Sequence, residues 1–599
     1  MIRLRAAAFG ALRRDQARIC PAFVLFRTFL AQFFASESVT SDIQLRQTII
    51  WVLALLVAPC LVLAIELFPH FQFVAIRAIR FHDVELLNDT LEWIEALFIT
   101  HSMVTLGLIT VFVWDALTFD RRDAMVLGPL PLGGAAIAAA KLAALAAFLV
   151  GASLVVNAPV ALLFALETSD QFGGAVFATH FTAHLAATVG GGAFVSAAIV
   201  SFRGLVVLAA GPRAAAALAP FMQFLFVVAI LSFVILSPAV WKIPHRALVN
   251  PDATGWLPMS WFLGMFERIR GSSRAYFIPL ATRSFVALPA AIGTAALVSV
   301  ATFRRQMRST LTPAATPGSI GLAALGAIVR RLARLLAGRD PVARATADFV
   351  SVTLARNRRQ QGPVAMCAAI GAAIVLASLV QKGGSLALLM RPRPLVLWIP
   401  LVLAYWTVTG LRASFLMPSE LPAAVTFAVN GPAATRAYWS GVRGAMIAWL
   451  GPPVSVIALL VTGLLLGWRV AAWHTAFVAG MVAALIELAV MTIDRVPFTR
   501  PYAAGDAKLR RRWLLYFFGM YAFAYWPVRI ELRFLGGHEP WPVVVVAGVA
   551  LACHLLGRRR ARRWSVEPAD ELQIDRPDFT VLDLGAIVRP LPAVNRAAL

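Results

Sequence analysis

The sequence predicts an all-α polytopic membrane protein, and three properties of the chain support that fold class. Of the 599 residues, 60% are apolar and only 14% are charged, whereas a soluble globular protein has about 45–50% apolar and about 25% charged residues. The mean hydropathy is +0.77. Twelve stretches reach or approach the length of about 20 apolar residues that a helix needs to cross the hydrocarbon core of a bilayer.

The twelve stretches fall into two groups of six, separated by a basic linker. The first six are 49–67, 97–117, 135–166, 177–200, 218–241 and 285–303. The second six are 364–380, 395–411, 446–468, 472–491, 513–528 and 541–556. We therefore predict about twelve transmembrane helices in two six-helix halves. The predicted segments are a first half over 1–303, a linker over 304–362, a second half over 363–557 and a tail over 558–599.

A short apolar helix that contains arginine precedes the first span of each half, at 23–34 and at 349–356. These segments carry too much charge to span, so we predict helices that lie in the membrane interface. The linker also holds an amphipathic stretch, 320–337, with leucine and valine at helical spacing, which we interpret as a cytoplasmic surface helix. Because both halves share this order, the sequence indicates an internal duplication.

The positive charge follows the pattern expected of cytoplasmic loops. Lys plus Arg total 54 against 30 Asp plus Glu, which gives a formal net charge of +24. Arginines cluster before the first span, in every second loop, in the linker and after the last span. This pattern predicts that both termini and the linker lie in the cytoplasm. The outer loop 242–274 is also basic and departs from the rule, but topology accounts for most of the charge. Membrane lipids are the expected surroundings, and no nucleic-acid partner is predicted.

The sequence lacks three motifs that mark nucleotide hydrolysis, metalloprotease chemistry and serine-hydrolase chemistry. The patterns GxxxxGK[ST], HExxH and GxSxG are all absent. The four cysteines form no CxxC pair, so the sequence supports neither a disulfide framework nor a thiolate metal site. We therefore predict no catalytic residues, no metal site and no directly bound cofactor.

Several ionisable residues lie within or beside the predicted spans, where such groups are costly and often functional. His180 and His184 are one helical turn apart. The carboxylates are Glu66, Glu95, Asp115, Glu487 and Asp494. Glu487 is the deepest and is the candidate intramembrane polar site. An ion pair with a neighbouring helix and a role in transport or proton coupling both remain open for it.

The segment from Asp120 reads DRRD-x3-LGPLPL-x4-I-x3-K and is the most informative part of the chain. It resembles the loop between the second and third spans of bacterial ABC exporter permeases. In that family a charged segment leads into L-x-PLP, then an Ile or Val, then a lysine that opens the third helix. In those permeases the loop forms a coupling helix that fits a groove on the ATPase subunit. The matching positions here are Arg121, Arg122, Asp123, Leu127, Pro129, Leu130, Pro131, Ile137 and Lys141.

The resemblance implies the transmembrane permease subunit of an exporter in a bacterial inner membrane. It leaves the substrate unidentified, with an amphiphilic or lipid-like compound as the candidate. ATP would act only through a separate ABC ATPase subunit, expected in two copies, and the permease itself would not be an enzyme. The second half offers a related loop from Pro418, with the candidate coupling residues Glu420, Arg436, Trp439 and Arg443. In both loops a large apolar residue lies four positions before a basic one: Ile137 before Lys141, and Trp439 before Arg443.

Two other classes of protein stay open at this point. A secondary transporter of the major-facilitator type also has six plus six spans around a cytoplasmic loop. Its loop motif is matched in part by Asp120, Arg121 and Arg122, but without its glycines, and PLPL has no counterpart there. A membrane-embedded lipid-linked transferase would need an acidic pair in the first outer loop, where Glu85 and Asp89 stand.

Overall fold

The computed structural model describes most of the chain as helix. The described residues are 21–34, 42–114, 127, 133–169, 174–240, 255–311, 320–381, 393–415, 436–493, 498, 513–535 and 541–564. Over these residues every regular element is helical. Ten of the helices in this part of the chain are long and apolar enough to cross a membrane. The fold is therefore that of an all-α, multi-pass membrane protein, as the composition predicts.

The first half and the linker contain the helices α1 to α9. In chain order they are α1 (Pro21–Phe34), α2 (Asp42–Phe81), α3 (Val84–Phe112), α4 (Gly134–Ser169), α5 (Gly174–Val240), α6 (Pro258–Arg270), α7 (Phe277–Leu311), α8 (Ile320–Ala337) and α9 (Pro341–Arg356). The second half continues with α10 (Arg358–Gln381), α11 (Arg393–Phe415), α12 (Arg436–Leu466), α13 (Trp468–Met491), α14 (Trp513–Met520), α15 (Trp526–Leu535) and α16 (Trp541–Trp564). A π-helical turn, Tyr521–Tyr525, joins α14 to α15.

Each of the twelve predicted spans overlaps one or more of these helices. The fourth and fifth spans, 177–200 and 218–241, share the single long helix α5. The eleventh, 513–528, lies in α14, the π-helical turn and α15, a segment that is not among the ten candidate spans. Helices are thus confirmed at the predicted places, whereas the arrangement of twelve membrane crossings stays a prediction.

Helix α5 is a helical hairpin. Its 67 residues would extend over about 100 Å if straight, far more than the roughly 30 Å of a hydrocarbon core. Gly211 interrupts it with φ 82° and ψ 162°, a conformation open almost only to glycine. The rings of Phe202 and Phe226 lie 5.5 Å apart, although 24 residues of straight helix would separate them by about 36 Å. The loop expected between the fourth and fifth spans is therefore a sharp turn at Gly211.

The two largest apolar clusters of the described residues lie in different parts of the chain, and the second includes helices of the predicted linker. The core of the first half is built from residues of all six helices from α2 through α7. It contains the fully buried rings of Phe98, Phe164, Phe262 and Phe266. The core of the second half joins α8 and α9 to the helices that follow. Between them, Met222 and Val227 of α5 pack with Ala369 of α10. The halves therefore meet along α5 and α10.

The predicted surface helix of the linker is confirmed as a helix with the same bounds, 320–337. It packs on α12 closely through the buried Ala333 and Ala337, with Val329 and Leu332 partly buried beside them. A Cβ atom added at Gly444 would lie 2.9 Å from the Ala333 carbonyl oxygen and 2.9 Å from the Ala337 nitrogen. Leu335 is 69% exposed. The glycine therefore sets the close approach of the two helices, and part of the apolar stripe stays on the surface.

Candidate functional site

Of the first predicted coupling loop, 120–141, the structure describes residue 127 and residues 133–141. Arg121, Arg122, Asp123, Leu130 and Pro131 lie outside the described residues. Leu127 is half-buried and packs against a cluster formed by α1, α4 and α7.

Lys141, which closes the predicted loop motif, is buried on α4. Its ammonium group lies 5.3 Å from the centre of the Phe29 ring of α1. Ile137, one turn earlier on α4, is buried in the same cluster. The predicted interfacial helix of the first half thus covers the start of α4, the helix that follows the loop.

The second predicted loop shows a related arrangement. Glu420 lies outside the described residues, and Arg436 is exposed at the first turn of α12. Trp439 is buried in the core of the second half. The Ser440 hydroxyl donates to the carbonyl oxygen of Ala337 at 3.2 Å, which ties α12 to the end of α8. In both halves, therefore, an amphipathic helix covers the start of the third predicted span.

Glu487 is held between two basic side chains from neighbouring helices. The Arg443 Nε donates to Glu487 Oε2 at 2.8 Å, and His554 Nδ1 lies 2.8 Å from Glu487 Oε1. The carboxylate and the guanidinium are both buried. The structure thus brings two predicted site residues, Arg443 of α12 and Glu487 of α13, into one ion pair. The contact with His554 connects this pair to α16.

A second buried pair lies in the same half and was not predicted. His474 Nδ1 of α13 lies 3.0 Å from both carboxylate oxygens of Glu531 in α15. Both side chains are buried, and His474 Nε2 has no partner among the described residues. Glu531 escaped the sequence analysis because the eleventh span was drawn only to residue 528.

The first half contains a third carboxylate–histidine contact, between α3 and the first arm of α5. Glu95 Oε2 lies 2.6 Å from His184 Nδ1, and the two side chains are 0% and 1% exposed. The Phe164 ring of α4 stacks on the His184 ring with 4.5 Å between centres. His180, one turn before His184, has its Nδ1 2.8 Å from the Thr168 hydroxyl. The predicted histidine pair thus lies on one helix face, directed at α3 and α4.

A network of arginines and carboxylates borders this contact. Arg274 Nη1 donates to Glu92 Oε1 at 2.5 Å and to Asp89 Oδ1 at 3.3 Å. Arg270 Nη2 donates to Glu267 Oε2 at 2.9 Å. Asp89, considered above for a transferase, is therefore an ion-pair partner of Arg274. We name the five residues Asp89, Glu92, Glu267, Arg270 and Arg274 the arginine network.

Tyr276 completes the network from the segment between α6 and α7. Its hydroxyl donates to Glu92 Oε2 at 3.1 Å. Burial, and then the nearby Glu92 carboxylate, raise the pKa of the Tyr276 phenol. The phenol therefore keeps its proton over the physiological pH range and remains a hydrogen-bond donor.

Further along α3, towards its C-terminal end, neutral polar residues form hydrogen bonds with α4 and α5. The Ser102 hydroxyl donates to the Thr188 carbonyl oxygen at 2.7 Å, and the Asn157 amide donates to Ser102 at 2.9 Å. The Thr110 hydroxyl donates to Ser196 at 2.9 Å. Such bonds between membrane helices stabilise their association. We interpret this part as structural.

The carboxylate–histidine contacts offer groups that can bind protons. Within the described ranges, no group of three or more His, Cys, Asp or Glu residues is placed to hold a metal ion. A buried carboxylate beside an imidazole can bind and release a proton. No family model, curated protein or solved structure matches the chain.

Proposed function

We propose that this chain is the transmembrane permease subunit of an ATP-driven exporter in a bacterial inner membrane. The observation that carries the proposal is the sequence of residues 120–141, which resembles the coupling loop of bacterial ABC exporter permeases. The chain contains no phosphate-binding loop, so a separate ATPase subunit would hydrolyse ATP.

The repeated placement of amphipathic helices supports the same proposal. Helix α1 packs on the start of α4, and α8 and α9 pack on the start of α12. A coupling loop precedes each of these starts in the sequence, at residues 120–141 and 418–443. Because one chain offers two such loops, it would engage two ATPase copies. The substrate proposed is amphiphilic or lipid-like.

The test of the coupling loop is the substitution Leu130→Asp. Loss of a buried apolar anchor typically costs about 1–3 kcal/mol of binding, or roughly ten- to a hundredfold in affinity. We expect the variant to insert and express normally but to lose an ABC ATPase encoded next to its gene in a pull-down from detergent. Leu335→Asp, which adds the same charge at an exposed leucine of α8, serves as the control and should retain the ATPase.

Two outcomes would contradict this role. If the wild type and Leu130→Asp retain the ATPase equally, residues 120–141 are not its docking site. If Leu335→Asp loses the ATPase as well, the effect follows from the added charge and not from the position.

A proton-coupled secondary transporter is the second candidate, because three contacts between glutamate and histidine lie between helices. They are Glu95–His184, Glu531–His474 and Glu487–His554. Ionisable groups inside membranes commonly mark proton relays. Two results together would favour this class over the first: the chain retains no ATPase in the pull-down, and a pH gradient drives substrate movement in vesicles.

A further inference from the structure

The Glu95–His184 contact differs from the arginine network in its charge balance. Within that network Glu92 contacts Arg274 and Glu267 contacts Arg270. Each of these buried carboxylates therefore has its own guanidinium. Asp89 also contacts Arg274, but its side chain is 26% exposed, so water can solvate it. With every group ionised, the two guanidiniums balance the two buried carboxylates, and the remaining negative charge falls on the partly exposed Asp89.

Glu95 has a histidine where the other buried glutamates of the first half, Glu92 and Glu267, have an arginine. Its Oε2 contacts His184, while its Oε1 is buried and has no hydrogen-bond partner among the described residues. The surroundings are apolar: Ile94, Phe98, Phe164 and Ala187 are all fully buried nearby in the same core.

A neutral imidazole beside an ionised Glu95 would leave one negative charge in this apolar environment. An unpaired buried charge is very costly, so buried ionisable groups are paired or take the neutral form. One proton removes the net charge, either as an imidazolium paired with a carboxylate or as a carboxylic acid beside an imidazole. The pair is neutral in both forms.

We propose that Glu95 and His184 form a proton-binding site that holds one proton more than a neutral imidazole and an ionised carboxylate together would hold. The site belongs to the first half alone, and it stands whether or not an ATPase subunit binds the chain. Glu92 and Glu267, the other buried glutamates of the described first half, each contact an arginine instead.

The site lies near one end of the helix bundle. His180 is one turn from His184 towards Gly174, where α5 begins, and it contacts Thr168 next to the end of α4. His180 and Thr168 thus extend the polar groups from the buried pair to this end. Other charged or titratable groups on the helices around the pair, or in the segment between α6 and α7, include Cys60, Glu66, His70, Asp89, Glu92, His101, Glu167, His180, Glu267, Arg268, Arg270, Arg274, Tyr276 and Arg283.

The test counts protons released on unfolding. In unfolded protein at about pH 8, glutamate and histidine are both largely deprotonated, since their ordinary pKa values are about 4.3 and 6.5. Purified protein in weakly buffered detergent is unfolded with sodium dodecyl sulfate, and an indicator dye reports the released protons. We expect the wild type to release about one proton per chain more than Glu95→Gln, because the amide neither binds the proton nor carries the negative charge that would hold it on His184.

Ser102→Ala is the matched control. Ser102 is buried on the same helix and makes hydrogen bonds, but it does not titrate. It should release as many protons as the wild type. Equal release from the wild type and Glu95→Gln would overturn the proposal. A loss of the same proton in Ser102→Ala would do so too, since the proton would then belong to general packing.

A second measurement serves if Glu95→Gln does not fold. Infrared spectra of the wild type carrying isotope-labelled histidine distinguish imidazolium from imidazole, and they also show the stretch of a protonated carboxyl group. At about pH 8 we expect one of these two protonated forms. A spectrum with neither form would overturn the proposal without any substitution.

Discussion

At the scale of single residues, each buried glutamate of the described chain contacts at least one basic side chain. Glu487 illustrates this, because Arg443 contacts one carboxylate oxygen and His554 the other. Arg443 is buried with Glu487, whereas the His554 side chain is 38% exposed. The arginine therefore carries most of the charge compensation, and the histidine less of it.

We expect Arg443→Met to destabilise the protein by about 3–5 kcal/mol, because it leaves an uncompensated buried carboxylate. The double variant Arg443→Met with Glu487→Met should recover much of that loss, since no buried charge remains. Unfolding in detergent, followed by circular dichroism, measures both. His554→Gln is the matched control and should cost much less. If the double variant is as unstable as the sum of the two single variants, the pair is not coupled.

At the scale of elements, glycines decide how closely helices approach. A Cβ atom added at Gly444 would meet backbone atoms of α8, and a Cβ atom added at Gly441 would meet the Ala343 carbonyl oxygen of α9. Backbone cannot move aside as a flexible side chain can. These two positions of α12 therefore require glycine for α8 and α9 to pack as they do.

Gly444→Leu should separate α8 from α12, at a cost of about 1–3 kcal/mol for overpacking. Cysteines introduced at Ala337 and Ser440, in a chain without its four native cysteines, report the contact by cross-linking. We expect the cross-link to form in the parent and to be lost in Gly444→Leu.

Gly451→Leu is the matched control on the same helix. A Cβ atom at Gly451 would meet only a side-chain methyl of Ile447 at 3.5 Å, which is an ordinary contact. This variant should cross-link like the parent. A cross-link that persists in Gly444→Leu would mean that the glycine does not set the distance between α8 and α12.

At the scale of the whole molecule, the distribution of arginine predicts which parts face the cytoplasm. The linker, with α8, is predicted to lie inside, and the loop 242–274 to lie outside. Leu335 of α8 and Ser273 are both exposed in the structure. They offer one labelling position on each predicted side.

Single cysteines at these positions test the topology. In intact cells, a reagent that cannot cross the membrane should label Ser273→Cys but not Leu335→Cys, and it should label both after the cells are opened. Labelling of Leu335→Cys in intact cells would exclude a cytoplasmic linker and with it the twelve-span arrangement. The two variants serve as controls for each other's accessibility.

The loop 242–274 also shows where pattern analysis was incomplete. The sequence suggested an outer loop, but α6 occupies Pro258–Arg270 and buries Phe262 and Phe266 in the core of the first half. A helix of 13 residues is too short to span a bilayer, so a search for spans passes over it. Its Glu267 and Arg270 join the arginine network only through this packing.

What the sequence by itself determined is the class of the protein and the positions of its long apolar helices. Apolar stretches of spanning length predicted the transmembrane helices, and the helical period predicted α8 with its bounds, because both signals are local along the chain.

Only the tertiary structure decided which charged groups meet. Glu487 and Arg443 are 44 residues apart in sequence, Glu95 and His184 are 89 apart, and Glu531 and His474 are 57 apart. Their contacts depend on the rotation and spacing of whole helices, which packing sets through positions such as Gly211 and Gly444. A buried charge must find its partner on a neighbouring helix, and no local pattern of residues states which neighbour that is.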